Sequence, residues 1–115
     1  MFQIIGYMDS FTAGGKTSHA VNRSKRLQIA ERLIIEESAK VLKIALVNKG
    51  HENGNEVHIV YNNGVVKIYN QNTRKFITVL IAREPQIVRY KIKVTKTMRK
   101  KIKSHIAKGY NNITF

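Results

Sequence analysis

The chain is 115 residues long and carries 21 Lys and Arg against 7 Asp and Glu, a formal charge of +14. That length suits one domain, residues 1–115, and not two; the 43% apolar content excludes a disordered basic tail, and the lack of an apolar run of about 18 residues excludes a membrane-spanning helix. With no Cys, a disulfide scaffold, a thiolate zinc site, an iron–sulfur centre and a cysteine nucleophile are excluded, while the cationic surplus points to a polyanion, most simply nucleic acid and otherwise an anionic membrane surface.

The start MFQIIGYMDSF lacks the charged-then-apolar order of a signal peptide. Residues 2–8 predict a short strand, and the Gly- and hydroxyl-rich stretch DSFTAGGKTS predicts a loop. From His19 the pattern turns helical. His19, Arg23 and Arg26 are spaced i, i+4, i+7 and share one helix face, with Val21, Leu27 and Ile29 available for the buried side. A second helix is expected over about residues 30–47, where Leu33, Ile34, Ser38, Val41, Leu42, Ala45 and Leu46 form an apolar stripe. Glu36 and Glu37 ahead of Lys40 and Lys43 suit its dipole, and Asn48 with Gly50 suits its end.

The loop KGHENGNE opens a β region. Over residues 56–61, Val57, Ile59 and Tyr61 alternate with His58 and Val60. Asn62-Asn63-Gly64 is a hairpin turn signal, and residues 65–69 are the return strand. Residues 70–73 predict a second turn, and residues 76–82, apolar throughout, a central strand. After Pro85, residues 87–94 alternate between Val88, Tyr90, Ile92, Val94 and Arg89, Lys91, Lys93, which predicts a fourth meander strand. Thr95 or Thr97 can cap a last helix with Met98, Ile102 and Ile106 on one stripe and Gly109 as its stop. The expected fold is α+β: N-terminal helices packed on a four-stranded antiparallel meander, with a basic C-terminal helix.

The charge is unevenly spread. Residues 31–60 hold five Glu against Arg32, Lys40, Lys43 and Lys49, whereas residues 85–115 hold Arg89, Lys91, Lys93, Lys96, Arg99, Lys100, Lys101, Lys103 and Lys108 with no acid. A base-only run of that kind favours polyanion contact over a merely solvated face. Lys16, Arg26, Arg89, Lys91, Lys93, Arg99, Lys100, Lys101 and Lys103 are the candidate nucleic-acid contacts.

AGGKTS is not a phosphate-binding P-loop. That motif needs a Gly five positions before the Gly-Lys pair, and position 10 is Ser. The loop would still hold a single phosphate through backbone N–H groups beside a helix start. His19, His51, His58 and His105 are scattered without metal-ligand spacing, so no metal and no cofactor are expected. Glu31, Glu36 and Glu37 are explained by helix capping and solubility rather than by paired-carboxylate hydrolysis. RNA cleavage without a metal asks for less, because the 2′-OH is the nucleophile. The protein supplies a base, an acid and cations on the phosphate. His19 with Arg23 and Arg26 on one face fits that need, and an adjacent Arg favours neutral imidazole.

In order, the chain presents T17-S18-H19-A20-V21-N22-R23, an amphipathic helix, a Gly-Asn loop and VHIVYNNGVVKIYNQNTRKFITVLIAR, with the strand Phe76-Ile77-Thr78-Val79-Leu80. Over about residues 17–90 this resembles the small metal-independent ribonuclease toxins of the barnase/EndoU/colicin/RelE-like superfamily. The resemblance implies His19 as acid–base, Arg23 as a phosphate contact and Thr78 as a polar contact at the scissile group. It also implies Arg83 and Tyr90 as completing a cationic, hydroxyl-bearing cleft. Its implied activity is an endoribonuclease acting on RNA, tRNA among the candidates, by 2′-OH transesterification. Its implied partner is an acidic immunity or antitoxin protein. The implied site of action is the cytoplasm, reached in some cases as a delivered toxin domain. Two alternatives stand beside it: a non-catalytic nucleic-acid-binding protein of a phage or mobile element, and an assembly protein that docks on an acidic partner.

Overall fold

A computed structural model describes residues 3–12, 24–48 and 54–110. Its elements in chain order are β1 (Gln3–Tyr7), α1 (Ser24–Glu36), β2 (Val41–Asn48), β3 (Glu56–Tyr61), β4 (Val65–Asn70), β5 (Phe76–Ile81), α2 (Glu84–Arg89) and α3 (Lys96–Ala107). The expected α+β class holds, but the antiparallel sheet has five strands, ordered β1-β2-β3-β4-β5, so β5, expected at the centre because of its apolar run, is an edge strand. The Gly-rich loop and the helix entry at His19 lie outside the described residues.

The first departure from expectation is the stretch over residues 30–47, which divides into a helix and a strand. The helix α1 stops at Glu36 because the chain turns left-handed at Ser38 (φ 51°). Ala39 N–H then reaches back to Ile34 O at 2.9 Å and Ser38 N–H to Ile35 O at 3.2 Å. This pair of bonds is a Schellman closure, which ordinarily uses Gly. A Ser in that place left no helix-stop signal. The apolar run that follows, VLKIALVN, is strand β2, paired with β1 on one side and β3 on the other. A short apolar run has no periodicity that separates strand from helix. The second departure is the expected strand over residues 87–94. Pro85, whose fixed φ suits a helix start, opens the short helix α2 instead. Lys91 (φ 59°) then leads into extended chain up to Thr95.

The sheet is covered on both faces. On one face α1 packs Ala30 and Leu33 against Val57, Ile59, Val65, Tyr69, Val79 and Ile81. On the other, α2 and α3 bring Ile87, Met98 and Ile102 onto Val60, Val66, Ile68 and Ala82. That is why β4 is buried at every position, although antiparallel strands commonly leave one face wet. The β3–β4 turn carries its positive φ at Gly64 alone (φ 90°), with Gly64 N–H bonded to Tyr61 O at 3.1 Å. Of the two candidate caps, Thr95 and Thr97, it is Thr95 that caps α3, its hydroxyl accepting from Met98 N–H at 3.2 Å, and Gly109 (φ 74°) follows the helix. Met98 and Ile102 face the sheet and are buried, while Lys96, Arg99, Lys100 and Lys103 face away and are exposed.

Candidate functional site

Strand period sets the site. On β3, Glu56 and His58 are two residues apart and therefore lie on one face, the face covered by α2. The ladders align Tyr7, Ala45, His58, Ile68 and Thr78 as one transverse row, with His58 at its centre. Where α2 ends, Tyr90 is the C-cap residue and its N–H bonds Ile87 O at 3.0 Å. This turn lays the Tyr90 ring over the row. Its hydroxyl lies 2.6 Å from His58 Nδ1, and His58 Nε2 lies 2.9 Å from Glu56 Oε1. Tyr7 steadies the turn by donating its hydroxyl to Tyr90 O at 3.0 Å.

The three groups are 4%, 2% and 4% exposed for Glu56, His58 and Tyr90. A carboxylate only accepts, so Nε2 carries a proton, and in the neutral imidazole Nδ1 is then the acceptor for the phenol. Burial, and after it the nearby Glu56 charge, push the Tyr90 phenol well above its ordinary value, so it is a proton donor at neutral pH. Hydroxyl, imidazole and carboxylate thus stand in line, the arrangement by which a base activates a hydroxyl. A buried polar trio also pins a fold. His58 and Tyr90 also line a cavity of about 90 Å³ together with Ile68, Leu80, Ala82, Gln86 and Arg89.

The sequence-derived candidates distribute as follows. Tyr90 is in the cavity, though on a helix cap and not on a strand. Thr78 is half-buried on β5, in the row of His58 but two strands from it, roughly 10 Å at ordinary strand spacing. Arg83 is exposed at the start of α2, its backbone N–H bonded to Gln86 Oε1 at 2.7 Å. It borders a separate groove of about 470 Å³ with Glu84, Pro85, Arg99, Ile102 and Lys103. Thr78, Arg83 and Tyr90 therefore do not line one cavity. His19, Arg23 and Lys16 lie outside the described residues. Arg26 is half-buried beside Ile29, Ala30 and Val79 on the opposite face of the sheet. Arg89, Lys91, Lys93, Arg99, Lys100 and Lys103 are exposed and Lys101 is half-buried. Arg99 binds Glu84 through Nε at 2.7 Å.

His58 and Glu56 were not among the candidates. Their signal was present as an i, i+2 pair on one strand face, but the Tyr90 partner comes from 32 residues away. Two further polar clusters sit elsewhere. His105 Nε2 lies 2.9 Å from Glu37 Oε1, which also accepts from Asn63 Nδ2 at 2.8 Å. On the α1 face Lys67 is paired with Glu31. Burial opposes the Lys67 charge, but the Glu31 hydrogen bond and the fields of Tyr61, Glu31 and Tyr69 outweigh it, so its pKa is raised. Tyr69 is also raised, by burial first, with Lys67 acting against it. Among the described residues no three His, Asp or Glu side chains converge as a metal site requires. No helix among them is long and apolar enough to cross a membrane.

Comparison of the chain with protein-family models, with curated proteins and with solved structures finds no match to any of them.

Proposed function

We propose that this protein is a metal-independent endoribonuclease of the toxin type, cleaving RNA by attack of a 2′-OH on the adjacent phosphate. The observation that carries the reading is one juxtaposition. The base-only segment that starts at Arg89 borders the cavity in which His58 and Tyr90 are hydrogen-bonded. Metal-free RNA cleavage needs those parts together: a proton-transferring pair, and cations for the phosphate. The exposed bases of α3 and of Lys91 and Lys93 extend the cationic surface along the chain and suit a phosphate backbone. On this reading the site of action is the cytoplasm, where RNA is met. The cell that makes the protein restrains it with an acidic immunity or antitoxin partner that covers the basic surface. His19 and Arg23 complete the active set by resemblance.

The test is incubation of purified protein with tRNA in EDTA. Cleavage that is lost in His19→Ala supports the toxin-type site, and no cleavage by the wild type refutes the reading. The outward basic face of α3 also favours a second reading, simple nucleic-acid binding without catalysis. Removing α3 would not distinguish the two, because Met98 and Ile102 belong to the core. Charge reversal at Lys100 and Lys103, both exposed, is the cleaner probe. It abolishes binding in the second reading while leaving the fold.

A further inference from the structure

We infer that Tyr90, His58 and Glu56 form a proton relay that activates the 2′-OH of RNA, with the scissile phosphate seated in the adjoining cavity against Arg89 and Gln86. The inference deepens the ribonuclease reading and rests on it. It places the reacting base on the meander face under α2.

The cavity of about 90 Å³ is room for several waters, and so for one phosphodiester group. Ile68, Leu80 and Ala82 give it an apolar wall, and the exposed Gln86 and Arg89 carry side-chain donors at its edge. The Tyr90 hydroxyl is 2.6 Å from Nδ1 of His58, inside the range for proton transfer. Behind the imidazole, Glu56 accepts from Nε2 at 2.9 Å and stabilises the imidazolium that forms. Among the described residues, the charged and titratable groups placed about His58 include Glu56 on its own strand, Tyr90 from the end of α2, and Arg89, which lines the same cavity. Tyr7 of β1 donates its hydroxyl to the backbone carbonyl of Tyr90.

The step balances. The 2′-O–H bond breaks and its proton goes to the Tyr90 oxygen, while the phenol proton passes to His58 Nδ1. A bond forms from the 2′-oxygen to phosphorus, and the bond from phosphorus to the 5′-oxygen breaks. Arg89 meets the charge that develops on the non-bridging oxygens. The leaving 5′-oxygen takes a proton from water, and the hydroxide so formed recovers the proton held by His58. The products are a 2′,3′-cyclic phosphate and a 5′-hydroxyl. Tyr90 is the catalytic residue of this relay, and His58 and Glu56 act through it.

The experiment compares wild type with Tyr90→Phe and His58→Asn on a short single-stranded RNA in EDTA. Affinity is measured on the same strand with 2′-O-methyl groups, which cannot react. Tyr90→Phe keeps the ring that packs in the core and removes only the hydroxyl. His58→Asn keeps an acceptor for the phenol but has no basic nitrogen, so a merely structural role survives it. The expected result is a kcat loss of 100-fold or more in both, with KM and the affinity for the methylated strand within threefold. Activity within threefold of wild type in either folded variant overturns the relay and leaves the ribonuclease reading standing. No cleavage by the wild type overturns that reading and the relay with it.

Discussion

Replacing Gly64 by Ala tests how the site face is held together. Gly64 sits in the β3–β4 turn with φ 90°, and a Cβ built on it would lie 2.5 Å from Cγ1 of Ile102 and 3.3 Å from its Cδ1. Ile102 is 3% exposed on the sheet-facing side of α3, so the new methyl fits only if this packed side chain shifts. Two costs arise. Forcing an L side chain into the left-handed region costs about 1–2 kcal/mol, and overpacking a filled core costs about 1–3 kcal/mol. Together they place the loss at about 2–5 kcal/mol, which for a domain of this size is a fall in melting temperature of roughly 8–20 °C. Thermal melts followed by circular dichroism read this directly. The double variant with Ile102→Ala separates the two costs. It removes the clash and leaves the backbone strain, so Gly64→Ala should cost about 1–2 kcal/mol in that background. A fall below 3 °C in the single variant, or strict additivity in the double, would refute the argument that the turn and α3 meet through this glycine.

Ser38→Gly relieves the left-handed residue that closes α1 and should raise stability by about 0.5–1 kcal/mol, measured by urea unfolding; an unchanged midpoint would count against the Schellman closure. Tyr90, Tyr69 and Lys67 all hold protons more tightly in the fold than at their ordinary values of 10.0, 10.0 and 10.5. Their contribution to stability is therefore complete below about pH 10 and is lost as pH rises through the raised folded values. The melting temperature should fall above pH 10, and less steeply in Tyr90→Phe; equal slopes would contradict the buried phenol. Lys100→Gln with Lys103→Gln should weaken binding to single-stranded RNA without affecting the fold. The pair should also lower the slope of log affinity against log salt by about 1.4, and an unchanged slope would remove α3 from the interface.

The hairpin β3–β4, the strand β5 (though not its place at the sheet edge) and the capped helix α3 were legible because each carries a local signal: Asn-Asn-Gly, an apolar run broken only by Thr78, and Thr95 ahead of a stripe of Met98, Ile102 and Ile106. Strand β2 was not legible, since Ser38 stands where a helix stop usually shows Gly, and the apolar run of the strand continues the apolar stripe of the helix. The alternation over residues 87–94 misled for a different reason. Three of its four expected inward residues do face the core, with Tyr90 buried and Ile92 and Val94 half-buried, but Val88 is exposed, and they lie on a short helix and an extended tail rather than a strand. The same distinction governs the site. The shared face of Glu56 and His58 follows from strand period alone, and Tyr90 was nominated by resemblance. Their meeting depends on where α2 turns, a tertiary fact with no local signature. Arg83 and Thr78 were nominated on the same grounds as Tyr90 and fall outside its cavity.

The measurement that bears most directly on the central claim uses a DNA strand carrying a single ribonucleotide, incubated with the protein in EDTA. The account expects one cut, 3′ to the ribose, leaving a 2′,3′-cyclic phosphate and a 5′-hydroxyl, and no cut in the all-deoxy strand. An intact strand, a cut in the all-deoxy control, or products ending in a 5′-phosphate would contradict it.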